Sequence, residues 1–269
     1  MSPDFQTTIS DVQEGRVIIR GFSHEEIMKT LGYADATFLT LVGRRPSDAE
    51  GKLTDVILTS LLDHGFVAAT VAAARYIASG NPQFVPAVAG GLLAAGQNTL
   101  SPEHSFELIE HARRVKTDGD LTDEEAAKVV IDEVRASGKR VPGFGHPIHR
   151  NGDFRAEVLF DLAGELGLAG EATRLYRAIH SEFVRQTGKT DVPINIDGCL
   201  ACLCMDIGLT AQQTVGLALL AVLPGLMAHV IEEIESPATL RWIKDGEYVG
   251  DPYRPLVASV AQPEEAKTS

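Results

Sequence analysis

Three features of the chain predict a mainly α-helical protein. Helical spacing of apolar residues dominates its 269 positions, no alternating apolar and polar run exceeds a few residues, and no Asn-Gly or Asp-Gly pair separates strand-like segments. Capping signatures and breakers then divide the helical pattern into pieces.

In chain order, Val17-Ile18-Ile19 is a short apolar segment suited to an extended lead-in, and Ser23-His-Glu-Glu26 has the form of a capping box that starts a helix. Residues 53–62 read as a helix with one apolar face, 67–79 as an alanine-rich helix, and 85–95 as a nearly all-apolar helix expected to be buried. Gly80-Asn-Pro82 breaks the chain between the last two. A helix over 101–115 follows, and Thr122-Asp-Glu-Glu opens another with acidic residues in its first turn, where the helix dipole favours them. The glycine-rich segment 143–152 interrupts the pattern, which resumes near 153–166 and 170–187. Val192-Pro-Ile-Asn-Ile-Asp197 is extended and leads into an apolar stretch to about Gly208; Thr210 caps a last long helix to about Glu235. Residues 262–269 have the composition of a disordered tail.

Hydrophobic residues at 44% and charged residues at 23% suit a chain that buries a core. Asp and Glu outnumber Lys and Arg 37 to 24, a net charge of −13 that argues against nucleic acid or an anionic membrane as partner. An anionic ligand must therefore meet local positive charge. The N-terminus lacks a basic segment followed by an apolar one, and no run approaches about 18 uninterrupted apolar residues, so a cytoplasmic protein is expected. Cys199, Cys202 and Cys204 lie among Leu200, Ala201, Leu203 and Met205; this setting favours reduced core thiols over a redox or metal pair.

The chemistry concentrates in Arg140-Val-Pro-Gly-Phe-Gly-His-Pro-Ile-His-Arg150. Glycine allows close backbone approach to a ligand, histidine exchanges a proton near neutral pH, and arginine grips carboxylate or phosphate. Two further sites set an ionisable residue beside glycine: Asp63-His64-Gly65 and Asn195-Ile-Asp197-Gly198. A carboxylate and two imidazoles suffice to move a proton at carbon while polarising an oxygen. Each also has a plainer reading, His64 as a cap on the carbonyls ending its helix and Asp197 as the N-cap of the next. For His146 no capping or packing argument explains the flanking glycines. His24, His104 and His111 sit in polar contexts and are expected in solvent, while His180 and His229 read as satisfied core histidines. No His-x-x-x-His pair occurs and the candidate ligands are scattered, so no metal is expected.

Together these segments resemble the citrate synthase superfamily, in particular its short citryl-CoA lyase branch. Arg20-Gly-Phe22, Leu62-Asp-His64-Gly, Val141-Pro-Gly-Phe-Gly-His146 and Pro193-Ile-Asn-Ile-Asp197-Gly match the family's motifs in kind, order and approximate spacing. The resemblance implies a two-lobed citrate synthase-like fold, with a large helical lobe at 1–97 and 199–269 and a small lobe at 98–198. It implies that Asp197 exchanges the proton on the methyl carbon of acetyl-CoA, that His146 binds the keto or hydroxyl oxygen of the partner, and that His64 contacts substrate. It further implies that Pro142, Gly143, Phe144 and Gly145 hold the CoA adenine, that Arg150 contacts CoA phosphates and that Arg155 binds a substrate carboxylate. Removal of a hydroxyl proton in cleavage would fall to His146.

Departures refine the expectation. Family synthases carry a histidine where this chain has Ala94 within Leu93-Ala-Ala-Gly-Gln-Asn98, which favours a lyase. A carboxylate-binding arginine of the last helix is missing near Gly225, and the family's Arg-Pro-Arg before Glu247-Tyr-Val-Gly250 is absent. The expected activity is reversible cleavage of a 3-hydroxyacyl-CoA, citryl-CoA or a less carboxylated analogue, to acetyl-CoA and a 2-oxo acid such as oxaloacetate. The CoA thioester serves as substrate, with no tightly bound cofactor, in a homodimer. A condensing acyltransferase and a non-catalytic CoA-binding regulatory subunit are the alternatives.

Overall fold

The computed structural model describes residues 5–237 and 240–254, so the expected tail at 262–269 lies outside the described residues. It is mostly helical, as the periodicity predicts. The chain opens with a three-stranded antiparallel sheet in the order β1 (Ser10–Gln13), β2 (Arg16–Ile19), β3 (Phe22–Ser23). Val17-Ile18-Ile19 is its middle strand, but the hairpin itself was not expected. Its two-residue turn is Glu14-Gly15, with Gly15 at φ +69°, and Ser10 pairs with Ile19. Because β1 is exposed along its length, it carries no apolar alternation to signal a strand.

Eleven helices follow among the described residues. Helix α1 (His24–Thr30) starts after Ser23, whose side chain makes no capping hydrogen bond, so the expected capping box is not formed. No boundary signal marks α2 (Tyr33–Val42), which begins and ends on Gly32 and Gly43 with no capping side chain. Helix α3 (Asp48–Ser60) begins five residues before its apolar face does, because Ser47 and Glu50 form a reciprocal capping box around a polar first turn. A 3-10 turn (Gly65–Val67), α4 (Ala69–Gly80) and α5 (Phe84–Leu92) come next. Thr122 and Glu125 form a second box between α6 (Pro102–Asp118) and α7 (Asp123–Ala136). Then come α8 (Phe154–Glu165), α9 (Glu171–Thr187), α10 (Ile196–Asp206) and α11 (Ala211–Glu235), the last with a box between Thr210 and Gln213.

The main core joins α2, α3 and α6 to α11, and α10 lies within it. Cys199, Cys202 and Cys204 are fully buried there, and burial pushes the Cys202 and Cys204 thiols up to about 12, which keeps them protonated and unreactive. A second cluster of Val71, Ala74, Ala78, Ala87, Leu226 and Val230 joins α4, α5 and α11. Gly91 permits that packing: a Cβ there would stand 2.8 Å from the Ala74 Cβ, the Leu226 Cδ1 and the Thr70 carbonyl oxygen. Helix α5 is not the buried element its composition predicts, since Val85 is 72% exposed and Leu93, just past its end, 86%. Helix α11 is long and apolar enough to cross a membrane by length and composition, and 33% of its most apolar window is buried.

Candidate active site

Two of the segments singled out in the sequence meet as a short antiparallel pair. The Gly145 N–H donates to the Pro193 carbonyl (2.8 Å), the Asn195 N–H to the Gly143 carbonyl (2.9 Å), and the Asn195 side-chain amide to the Gly145 carbonyl (2.9 Å). Gly143 and Gly145 take φ of +74° and +79°, which L side chains avoid. Gly143 has a further reason to be glycine. A Cβ there would land on the Tyr176 and Ser105 hydroxyls and 2.7 Å from the Gly198 Cα. The Tyr176 hydroxyl donates to the Pro142 carbonyl (2.8 Å) and locks the turn from beneath. The Phe144 ring packs on Tyr176, His180 and Phe183 at centroid distances of 5.4, 5.0 and 5.4 Å, so the aromatic side chain anchors the loop.

Asn195, not Asp197, caps α10, its side chain accepting from the Gly198 N–H (3.2 Å). The capping reading of Asp197 therefore fails. Its carboxylate accepts the Ser101 N–H (3.3 Å), and burial pushes its pKa up to about 6 against that stabilising bond. Leu100, immediately before Ser101, sits at φ +54°, a strained conformation for a bulky residue beside this hydrogen bond.

His64 does not cap α3; it follows the helix and faces His146, Nε2 to Nε2, at 3.2 Å. Its loop is pinned by α11. Gly225 packs on the Leu62 carbonyl and on Asp63, where a Cβ would stand 2.9 Å from the Asp63 Cβ. Asp63 accepts from His229 Nε2 (3.1 Å), whose Nδ1 accepts from Arg75 (3.2 Å), and Arg75 pairs with buried Glu233 (2.7 Å). His229 is thus a satisfied histidine, as is His180, which bonds the Val192 carbonyl (2.8 Å).

The tautomer of His146 follows from its neighbours. Its Nδ1 accepts the main-chain N–H groups of Ile148 (3.1 Å) and His149 (3.0 Å), so the neutral ring carries its proton on Nε2 and donates to His64 Nε2. Burial, His64, Arg155 and His149 lower the His146 pKa to about 4, and burial with Arg155 and His149 lowers that of His64. The expectation that His146 takes a hydroxyl proton does not survive this geometry. With Nδ1 occupied and Nε2 protonated, the ring donates and has no lone pair to offer.

His149, in the loop but assigned no role from sequence, stands with its ring 4.6 Å from that of His146 and 5.3 Å from that of His64. One ring nitrogen from each of the three lies within 4.8 Å of the others, close enough to suggest a metal. The same lack of a free lone pair removes His146 as a neutral ligand, so the set does not fit one.

Arg155 is buried and grips Asp153 with Nε and Nη2 (2.8 Å each), and Asp153 also accepts the Ile196 N–H (3.0 Å). Sequence reasoning missed this buried Asp153, which ties the start of α8 to that of α10. His64, Pro142, Gly143, Phe144, Gly145, His146, Arg155 and Asp197 all line one cavity of about 1210 Å³. Arg150 is exposed and does not line it; Lys139 and Arg140, beside the glycine loop, do. His104 lines it as well, half-exposed rather than free in solvent. Ala94 forms part of the wall. On α11 the lining residue is Val222, one turn before Gly225, which packs on the backbone at Leu62 and Asp63 instead.

Residues 18–243 match the family model described as citrate synthase, C-terminal domain. Among curated proteins, the chain is 27% identical over 246 residues to a citrate synthase from Synechocystis sp., covering 87% of this chain and 59% of that protein. It is 24% identical over 225 residues to citrate synthase 2 from Bacillus subtilis, covering 83% and 58%. The chain thus spans under two thirds of the length of these relatives. Among solved structures, a citryl-CoA lyase from Hydrogenobacter thermophilus is similar at a TM-score of 0.84 and 29% identity, over 95% of this chain and 98% of that one. An ATP citrate lyase from Methanothrix soehngenii, in complex with citrate and coenzyme A, shares the fold at a TM-score of 0.77 and 18% identity, over 94% of this chain and 42% of that one.

Proposed function

We propose that this chain, which belongs to the citrate synthase family, is an enzyme of the citryl-CoA lyase type. It cleaves a 3-hydroxyacyl-CoA reversibly to acetyl-CoA and a 2-oxo acid such as oxaloacetate. The observation that carries the reading is a tautomer-fixed donor, His146, sharing one cavity with a carboxyl group raised to about 6, Asp197. In the cleavage direction the hydroxyl oxygen takes the His146 Nε2–H while its own proton passes to the lone pair of His64 Nε2. The carbon–carbon bond breaks toward the thioester enolate, and protonated Asp197 supplies the methyl carbon with a proton. Condensation runs the same steps backwards, with Asp197 ionised as base. The thioester itself makes the carbanion accessible, so the steps call on no further cofactor.

Arg155 offers its remaining Nη1 to a substrate carboxylate while Asp153 fixes the guanidinium. The main chain of Pro142 to Gly145 holds the adenine of CoA; Lys139 and Arg140, on the cavity edge, serve its phosphates, with Arg150 farther out. Ala94 offers no side-chain donor to a thioester oxygen, which favours the lyase over a synthase. Val222 presents an apolar wall where a second carboxylate clamp would stand, which favours a substrate with fewer carboxylates than citryl-CoA.

The exposed apolar face around Val85 and Leu93 supports pairing in a homodimer, which we place in the cytoplasm. The lobes at 98–198 and at 1–97 with 199–269 would close over the enolate and exclude water. Mass spectrometry of purified protein incubated with citryl-CoA and analogues carrying fewer carboxylates tests the activity. Acetyl-CoA from at least one is expected; none from any of them sinks the reading. The curated similarity to citrate synthases keeps condensation as the second reading, and release of free CoA during turnover would select it.

A further inference from the structure

We propose that His149 is a positioning residue whose buried Nε2 accepts the Nδ1–H of His64 when substrate occupies the site, so that the two rings act as an oriented base. The inference rests on the lyase reading for the identity of the oxygen that His64 serves.

His146 donates through Nε2 because two main-chain N–H groups occupy its Nδ1, so His64 Nε2 is the acceptor and neutral His64 holds its proton on Nδ1. That Nδ1–H requires an acceptor once the ring is enclosed by substrate. His149 Nε2 is a buried nitrogen without a hydrogen-bond partner among the described residues, and such atoms are uncommon because the lost hydration is not replaced. The two rings stand 5.3 Å apart at an interplanar angle of 39°, and Phe154 packs against His149 in a T-shaped contact at 5.7 Å.

As the site stands, His64 is turned to His146. A substrate oxygen that takes the His146 N–H replaces that contact and leaves His64 free to close on His149. The charged and titratable groups facing His64 are Asp63 on its own loop, His146 and His149 on the glycine loop, and Asp153 and Arg155 at the start of α8. Those at His149 are His64 and His146. Among the described residues these carboxylates are engaged elsewhere, Asp63 with His229 and Asp153 with Arg155.

The step balances. The substrate O–H bond breaks and its proton goes to His64 Nε2; the carbon–carbon bonding pair becomes the enolate, which takes a proton from Asp197 at carbon. The resulting His64 imidazolium, held through Nδ1 by His149, returns one proton to Asp197 through water after product release. This is the logic of an orienting partner behind a general base.

The test uses full-length protein labelled with 15N-histidine, with coenzyme A plus citrate as the probe. NMR is expected to show His64 protonated on Nδ1, with that proton moving downfield when the probe binds. His149→Phe should abolish that shift and lower kcat about 100-fold, while CoA affinity stays within about twofold and the acid limb of the pH profile moves. His149→Gln, which restores an acceptor oxygen, should recover about tenfold. A wild-type rate and pH profile in folded His149→Phe, or His64 carrying its proton on Nε2, would overturn the proposal. If His149→Phe fails to fold by its melting curve, the wild-type NMR result decides. Absence of acetyl-CoA formation by the wild type would defeat the lyase reading alone, because the tautomer measurement stands without turnover.

Discussion

Asp197 and His146 are displaced from their solution pKa values in opposite directions, burial being the largest cause for both and His64, Arg155 and His149 adding to it at His146: the carboxyl rises to about 6 and the imidazole falls to about 4. Each displacement has a measurable sign. In the proposed mechanism cleavage needs Asp197 protonated, so kcat for acetyl-CoA release should fall as pH rises through about 6, whereas condensation, which needs it ionised, should gain over the same interval. Asp197→Asn should lower both rates by about 10²- to 10⁴-fold and leave CoA affinity intact in calorimetry; an unchanged rate would remove Asp197 from the mechanism. For His146 the folded state favours the neutral ring more than the unfolded chain does. The stability this contributes is present above pH 6.5 and is lost as pH falls toward about 4. Thermal melts from pH 7 to pH 4 should show that decline, and His146→Gln should reduce it.

At the scale of elements, the site depends on close approaches that only small residues allow. Helix α11 fixes the His64 loop by contact of Gly225 with Leu62 and Asp63, so Gly225→Ala should destabilise the fold by about 1–3 kcal/mol. It should also lower the rate without altering any group that touches substrate. Urea denaturation read together with kcat checks this, and a variant with wild-type values for both would show that the loop does not depend on the contact. The glycine loop is held in the same manner, with Gly143 filling the gap between Tyr176, Ser105 and Gly198. Capping boxes at Ser47, Thr122 and Thr210 fix where α3, α7 and α11 begin, which orients the helices on which these approaches depend.

Over the whole molecule, apolar surface is left uncovered around α5, at Val85 and Leu93, where the chain's composition predicts burial. The proposed homodimer would cover it, and Leu93→Asp should then shift the sedimentation coefficient to that of a monomer. A variant that still sediments as a dimer would place the interface elsewhere. Ala94, next to Leu93, lines the cavity, so activity lost on dissociation would connect assembly to catalysis.

Much of this was legible without coordinates. The helical period, the helix starts at Thr122 and Thr210, the buried cysteines and the three segments bearing His64, His146 and Asp197 are local properties of the chain; the capping box expected at Ser23 did not form. They depend on residue type and spacing within a few positions. The exposed hairpin at 10–19 and the glycine-bounded α2 were not legible, because neither carries an apolar alternation or a capping side chain. Tertiary contact alone decided that Asn195 caps α10 and leaves Asp197 to the cavity. It also decided that Val222 rather than Gly225 lines the cavity, and that Asp153 holds two of the three guanidinium nitrogens of Arg155. The same holds for the direction of the His146 hydrogen bond, set by two main-chain N–H groups, and for the meeting with His64 across 82 positions of sequence. A sequence specifies which groups are present, but the protonation state of an imidazole is set by the partners and the burial that folding brings to it.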